Sequence, residues 1–266
     1  MTKPARILAI AGSDSGGGAG IQADIKTITL LGGHAMTAVT AITAQNTLGV
    51  QAVEPVSPNI VLAQIDSVMS DIGVDAIKIG MLGSSELVAA LGDRLPDIDA
   101  PIVFDPVMVA TSGSTLADEA TIAGFHMLMR IATITTPNLP ELARLTSSEL
   151  GSAYEMEREA RRLSRDSDSM ILAKGGHLDD ELVTDIFVQP DGKVDRWKSK
   201  RIDTVHNHGT GCSMSSALAT GLGQGMAPIE ATSRARGFVR AALKAAPGLG
   251  KGNGPLGYAT IGEFWP

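Results

Sequence analysis

Residues 6–30 read RILAIAGSDSGGGAGIQADIKTITL, and this stretch decides the fold class. Arg6–Ala11 is a short apolar run with the dimensions of a buried strand. Gly12–Gly20 follows with five glycines, and then Ile21, Ile25 and Ile28 recur at helical spacing. The unit is strand, glycine-rich loop, helix. Working outward, further strand-sized runs occur at Ala35–Ile42, Ala76–Gly80, Pro101–Asp105, Ala132–Thr136 and Met170–Lys174. Helical patterns separate them, as in Val61, Ile65, Val68 and Ile72, with Ser57 placed to cap that helix and Pro58 at its first position. Alternation of this kind writes an α/β fold, a mostly parallel central sheet with helices on both faces. The pattern changes at Glu181. Leu182–Val188 and Lys193–Lys198 flank Asp191-Gly192, a tight-turn pair, so an antiparallel hairpin is expected at one sheet edge. Two helices follow, one opening at Gly209 and one running from Pro228 to about Ala246. No linker or repeat interrupts the chain, and residues 1–266 are expected to form one domain.

Composition sets the class. At 44% hydrophobic and 19% charged, the chain can bury a large core, and with 3% aromatics that core is aliphatic. The net charge of −7 is spread along the sequence, which gives no basic surface for nucleic acid. Cys212 is the single cysteine, so no internal disulfide or multi-cysteine zinc site can form. Ile7–Ala11 is too short for a signal-peptide core, and no run approaches the roughly 18 apolar residues of a membrane span. A cytoplasmic protein with no membrane partner is expected.

Ligands of parallel α/β sheets gather where strands end, so the residues after each strand carry the functional reading. The Gly12–Gly20 loop lets backbone approach a ligand and opens a helix, although it has neither the Gly-Lys-Ser/Thr of a Walker loop nor the glycine spacing of a dinucleotide fingerprint. A turn that only eases helix–sheet packing is the alternative. Gln45 offers donor and acceptor together, suited to an aminopyrimidine edge or simply to water. Met81 can pack on a flat ring or fill core. Asp105 and Glu141 are carboxylates at strand ends, fit for magnesium on a nucleotide or for capping the next helix. Lys174, emerging from an apolar strand, suits phosphate. His208-Gly209-Thr210-Gly211-Cys212 opens a helix, where the N–H groups of Gly209, Thr210, Gly211 and Cys212 can cradle an anion. The same field is expected to lower the Cys212 pKa and make it a proton acceptor, against the alternatives of an inert thiol or of a metal or nucleophile site with His206 and His208.

Taken together and in this order, GSDSGGGAGIQADIK (12–26), TAQNT (43–47), KIGMLG (78–83), DPVM (105–108), TPNLPE (136–141), KGGHL (174–178), HGTGC (208–212) and the glycine-rich 250–257 tail resemble the hydroxymethylpyrimidine/phosphomethylpyrimidine kinases of thiamine synthesis, in the ribokinase-like superfamily. The resemblance runs nearly end to end. It implies ATP as donor, magnesium, two successive phosphorylations and a homodimer. It also implies that Gly12, Asp24, Gln45, Met81 and Val107 surround the pyrimidine, and that Asp105 and Glu141 lie by the metal or its water. Lys174, Thr210 and Gly211 would meet the phosphates, with Cys212 standing where most of the superfamily has aspartate. A pyridoxal-type kinase and a non-catalytic pyrimidine binder on the same fold are the rivals. Asn207 and Lys251–Gly254 depart from the pattern and leave the adenine contacts open.

Overall fold

The computed structural model describes residues 3–111, 113–178, 181–263 and 265. Among these residues, nine strands form one sheet: β1 (Arg6–Asp14), β2 (His34–Asn46), β3 (Gly49–Pro55), β4 (Ala76–Ile79), β5 (Ile102–Phe104), β6 (Ile134–Thr135), β7 (Met170–Ala173), β8 (Leu182–Val188) and β9 (Val194–Lys200). Their spatial order is β3-β2-β1-β4-β5-β6-β7-β8-β9. The strands from β2 to β7 pair in parallel, and β8–β9 adds the expected antiparallel edge. A second antiparallel edge was not anticipated. β2 runs on to Asn46, past the expected end at Ile42, and turns back as β3, whose residues are mostly exposed. Exposure explains the difference, because a strand with no buried face shows no apolar alternation.

Among the described residues, eight α-helices cover the sheet: α1 (Gly20–Leu30), α2 (Pro58–Asp71), α3 (Ser85–Arg94), α4 (Glu119–Ile131), α5 (Leu139–Thr146), α6 (Ala153–Ser167), α7 (Thr210–Gly223) and α8 (Pro228–Lys244). Side chains alternate across a strand, and β1 divides accordingly. Leu8 and Ile10 join one core with Val61 and Ile65 of α2, Leu87 of α3 and Phe125 of α4. Ile7 and Ala9 join the opposite core with Ile28 of α1, Leu218 of α7 and Phe238 of α8. Ile25 and Ile72, expected on buried faces, are 40% and 41% exposed. Side-chain caps start α3, α4, α5 and α6 at Ser84, Asp118, Asn138 and Ser152. The Ser57 side chain makes no such bond, and α2 relies on Pro58. α7 is buried nearly all round, from Ser213 to Gly221, rather than along one stripe.

Candidate active site

The carboxyl ends of β1, β2 and β4 to β7 and the start of α7 surround a cavity of about 680 Å³. Gly12, Gln45, Met81 and Val107 line it, as do Asp105, Glu141, Lys174 and residues 209–212. Asp24, expected beside the pyrimidine, is not on this wall. It is fully buried in α1, where both carboxylate oxygens lie 2.9 Å from Lys78 Nζ and Oδ1 accepts from Ser216 Oγ at 2.6 Å. A carboxylate that deep needs a cation and donors, and Lys78 and Ser216 occupy it. Lys78, from β4, is the member of this group that reaches the cavity.

The glycine-rich loop is organised by Asp14. Its carboxylate accepts the N–H groups of Gly16, Gly18 and Ala19 at 2.8, 3.0 and 2.8 Å, and His208 Nε2 lies 2.9 Å away. Burial alone would raise the Asp14 pKa, but these bonds hold it below the ordinary carboxylate range. The loop therefore has a local hydrogen-bonding reason for its shape as well as a ligand-facing one.

On the far side, Lys174 Nζ donates to Asp105 Oδ1 at 2.8 Å, and Thr136 Oγ1 donates to the same oxygen at 3.0 Å. Burial disfavours the Lys174 charge, yet Asp105 and Glu141 raise its pKa on balance. Glu141 serves two ends at once. It closes a capping box on α5, accepting from Asn138 N at 2.7 Å while Asn138 Oδ1 accepts from Glu141 N at 2.9 Å, and it also lines the cavity. Burial pushes its pKa up to about 7, with Lys174 opposing and Asp105 reinforcing the rise.

Between the two sides stands the start of α7. Gly209 caps it with φ at 88°, a left-handed conformation, and a Cβ there would collide with the Gly18 carbonyl oxygen. Thr210 N donates to Asn207 O at 3.3 Å, so that amide helps close the turn and is not wholly free for an anion. Gly211 and Cys212 lie in the first turn, where amides have no acceptor within the helix. A Cβ on Gly211 would sit 3.3 Å from Asp105 Oδ2 and 3.4 Å from Lys174 Nζ. Its φ is not positive, so closeness rather than conformation favours glycine here.

The Cys212 thiol departs from expectation. Burial pushes its pKa up to about 11, with Lys78 opposing and Asp24 and Asp105 adding to the rise. The lowering expected from the helix start is outweighed by desolvation. His208 faces Asp14, not the cysteine, and no group of three or more His, Cys, Asp or Glu among the described residues could hold a metal by itself.

Residues 14–257 match the family model for phosphomethylpyrimidine kinase. The chain belongs to this family. A hydroxymethylpyrimidine/phosphomethylpyrimidine kinase of Rhizobium meliloti (strain 1021) is 48% identical over 253 residues, covering 94% of this chain and 95% of that protein. One from Streptomyces coelicolor is 42% identical, covering 98% and 97%. Among solved structures, phosphomethylpyrimidine kinase of Clostridium difficile 630 superposes with a TM-score of 0.80 at 37% identity, over 90% of this chain and 99% of that one. A Bacillus subtilis pyridoxal kinase in complex with ADP gives 0.89 at 31% identity, over 97% and 99%. This phosphomethylpyrimidine kinase family member is ribokinase-like in architecture. Sequence reading missed Asp14, Thr43 and Lys78 on its cavity wall. Lys78 had a signal, since a lysine inside the apolar run 76–80 begs the same question as Lys174.

Proposed function

We propose that this kinase transfers the γ-phosphoryl group of ATP to the hydroxymethyl group of 4-amino-5-hydroxymethyl-2-methylpyrimidine, and then a second phosphoryl group to the resulting monophosphate. The observation that carries this is the meeting of the glycine-rich start of α7 with the Asp105–Lys174 pair, so close that a Cβ on Gly211 would crowd both charged groups. Strand order divides the cavity around that point. Gln45, Gly12 and Met81 project from the β2, β1 and β4 side, where the ring is placed. Asp105, Glu141 and Lys174 come from the β5, β6 and β7 side, where the phosphates are placed. The complex of a related pyridoxal kinase with AMP-PCP supports a nucleotide on this fold.

Phosphoryl transfer asks for positioning and charge stabilisation more than covalent help. Lys174 and the Gly211 and Cys212 amides meet the charge of the transferred group without reorganising. Two carboxylates and no closed cage is a donor set suited to magnesium, which keeps several waters and binds chiefly to phosphate. Asp105 and Glu141 would hold it, and when bound it neutralises phosphate charge. Cys212 accepts the hydroxyl proton in the first transfer as its thiolate, a small fraction of the protein at neutral pH because burial raises the thiol to about 11. In the second transfer the nucleophile is already anionic. We further propose a cytoplasmic homodimer with one domain per chain, readings that sedimentation and fractionation test directly.

The experiment is incubation with ATP and the hydroxymethylpyrimidine, followed by anion exchange. Monophosphate should appear first and diphosphate after it. Gln45→Leu should raise the pyrimidine KM about tenfold or more, with far less effect on the ATP KM. ATP turnover that does not depend on the added pyrimidine would sink the reading.

A further inference from the structure

Gln45 is the residue assigned to the ring, and the bonds around it decide which way its amide faces. The two ends of a glutamine amide are alike in shape and are told apart only by their partners. The structure sets Nε2 3.3 Å from His208 Nε2 and Oε1 3.2 Å from Thr43 Oγ1, a sense that the surrounding bonds reverse. His208 Nε2 is also 2.9 Å from Asp14 Oδ2. Asp14 already takes three backbone N–H bonds, as an ionised carboxylate does, and can only accept. Nε2 must therefore carry a hydrogen, and a protonated ring nitrogen accepts nothing. That one hydrogen points chiefly to Asp14 and is shared with Gln45 at the longer distance, so the Gln45 end facing it is the oxygen, since an N–H there would face another N–H.

Thr43 gives the same answer by a separate route. Its one hydroxyl hydrogen goes to Ser13 O at 2.9 Å, the shorter of its two contacts. Only lone pairs remain toward Gln45, so the end facing Thr43 has to be the nitrogen. Neither chain of bonds shares an atom with the other except through the amide itself.

We propose that Asp14, His208 and Thr43 are positioning residues that fix the Gln45 amide with Oε1 toward His208 and Nε2 toward Thr43, and that this fixed sense selects the aminopyrimidine edge. The proposal rests on the reading that Gln45 meets the ring. With those bonds made, the amide has one N–H and one oxygen lone pair left for a ligand. A ring nitrogen beside an exocyclic amino group offers the matching acceptor and donor, the pair a primary amide reads on adenine with two bonds. A clamped amide accepts that edge in one sense only, and so determines which ring substituent turns toward Cys212 and the start of α7. A freely rotating amide would accept either sense, and would discriminate less against a ring lacking the amino group.

Two measurements test this. In the ligand-free, 15N-labelled protein, the Gln45 side-chain amide protons should give their strongest cross-relaxation to the Thr43 methyl; strongest transfer to the His208 ring hydrogens would overturn the assignment. Affinity is then compared by calorimetry for the hydroxymethylpyrimidine and its analogue without the amino group. The native protein should favour the amino compound about tenfold or more, the value of one or two polar contacts. Thr43→Val should shrink that preference to within about threefold, and Thr43→Ser should keep it. An undiminished preference in Thr43→Val, or equal weakening for both rings, makes Thr43 a structural residue only and ends the proposal. The relaxation result is read without substrate, so it stands or falls apart from the kinase reading, which fails separately if neither ring is phosphorylated.

Discussion

Gly211→Ala is the substitution that most directly tests where phosphate passes. The added Cβ would lie 3.3 Å from Asp105 Oδ2 and 3.4 Å from Lys174 Nζ. Contacts that close are tight without being impossible, so the carboxylate and the ammonium need give by only a few tenths of an ångström. The backbone does not resist, since Gly211 has no positive φ and sits one residue inside α7. Alanine also restricts the unfolded chain relative to glycine, which in a helix contributes about 0.5–1 kcal/mol of stability. The variant is therefore expected to fold at least nearly as well as the native protein.

Turnover should tell a different story. The methyl group would crowd Asp105 and Lys174 at the start of α7, where the proposed function has oxygens of the transferred group approach. Losing one anion-hole donor elsewhere costs roughly 100- to 1,000-fold in kcat, and Gly211→Ala should fall near the lower figure, with Gly211→Val at or beyond the upper. ATP affinity should change less, because donors aimed at developing charge act mainly in the transition state. The assay is steady-state kcat for the first phosphorylation, with ATP affinity by calorimetry and thermal unfolding as a fold control. A folded Gly211→Val protein with near-native kcat would show that the group does not pass here, and the phosphate assignment would have to move.

Lys78→Met should destabilise the protein by about 3–5 kcal/mol in urea denaturation, because it leaves the Asp24 carboxylate buried without its cation; adding Asp24→Asn should recover part of that, and a loss below about 1 kcal/mol would mean Asp24 is neutral in the fold. Glu141 titrates at about 7 when folded against an ordinary 4.5, so the native state holds an extra proton between those values. Its contribution to stability is present below pH 4.5 and is lost as pH rises through 7, so in chelator-treated protein Glu141→Gln should flatten the fall in stability across that window. An identical slope in both proteins would place the titration elsewhere. With Cys212 at about 11, a thiolate base predicts that the first phosphorylation speeds up by about tenfold per pH unit through neutrality. Cys212→Ala should abolish that slope and slow the first transfer more than the second, whereas a flat native profile would remove Cys212 from proton transfer.

Much of the architecture was legible because its signal is local. The runs at Arg6–Ala11 and Met170–Lys174 are apolar on both sheet faces, and Asp191-Gly192 announces its own turn. β3 was not legible, since an exposed strand at a sheet edge carries no buried pattern to read. The chemistry-bearing residues Gln45, Asp105, Glu141 and Lys174 stood out as polar types following strands, and Gly211 as a permissive type at a helix start, and the fold brings all five to one cavity. Asp24 failed for a different reason. Its position in a motif carried it to the ring, but the motif's spacing is equally served by a residue facing inward, and helical geometry turns it toward Lys78.

That failure and the overlooked residues share a cause. Asp14, Thr43 and Lys78 each act on another side chain or amide: Asp14 on the glycine loop and His208, Thr43 on Gln45, Lys78 on Asp24. Their partners are 4, 194, 2 and 54 positions away, and only the shortest of these separations could be suspected from the chain itself. A residue that meets a ligand can be inferred from its type and its place at a strand end. One that holds such a residue in place is defined by a contact, and the contact exists only once β1, β2, β4 and the start of α7 have been brought together. Ser216 makes the point most plainly. It is one turn beyond Cys212 on a helix buried almost all round, and its type suggested nothing. Its 2.6 Å bond to Asp24 nonetheless ties α7, whose first amides are proposed to meet phosphate, to the Lys78 ammonium at the cavity wall. Placement of the Gly211 and Cys212 amides thus depends on a buried charge pair that no ligand touches through Asp24 itself.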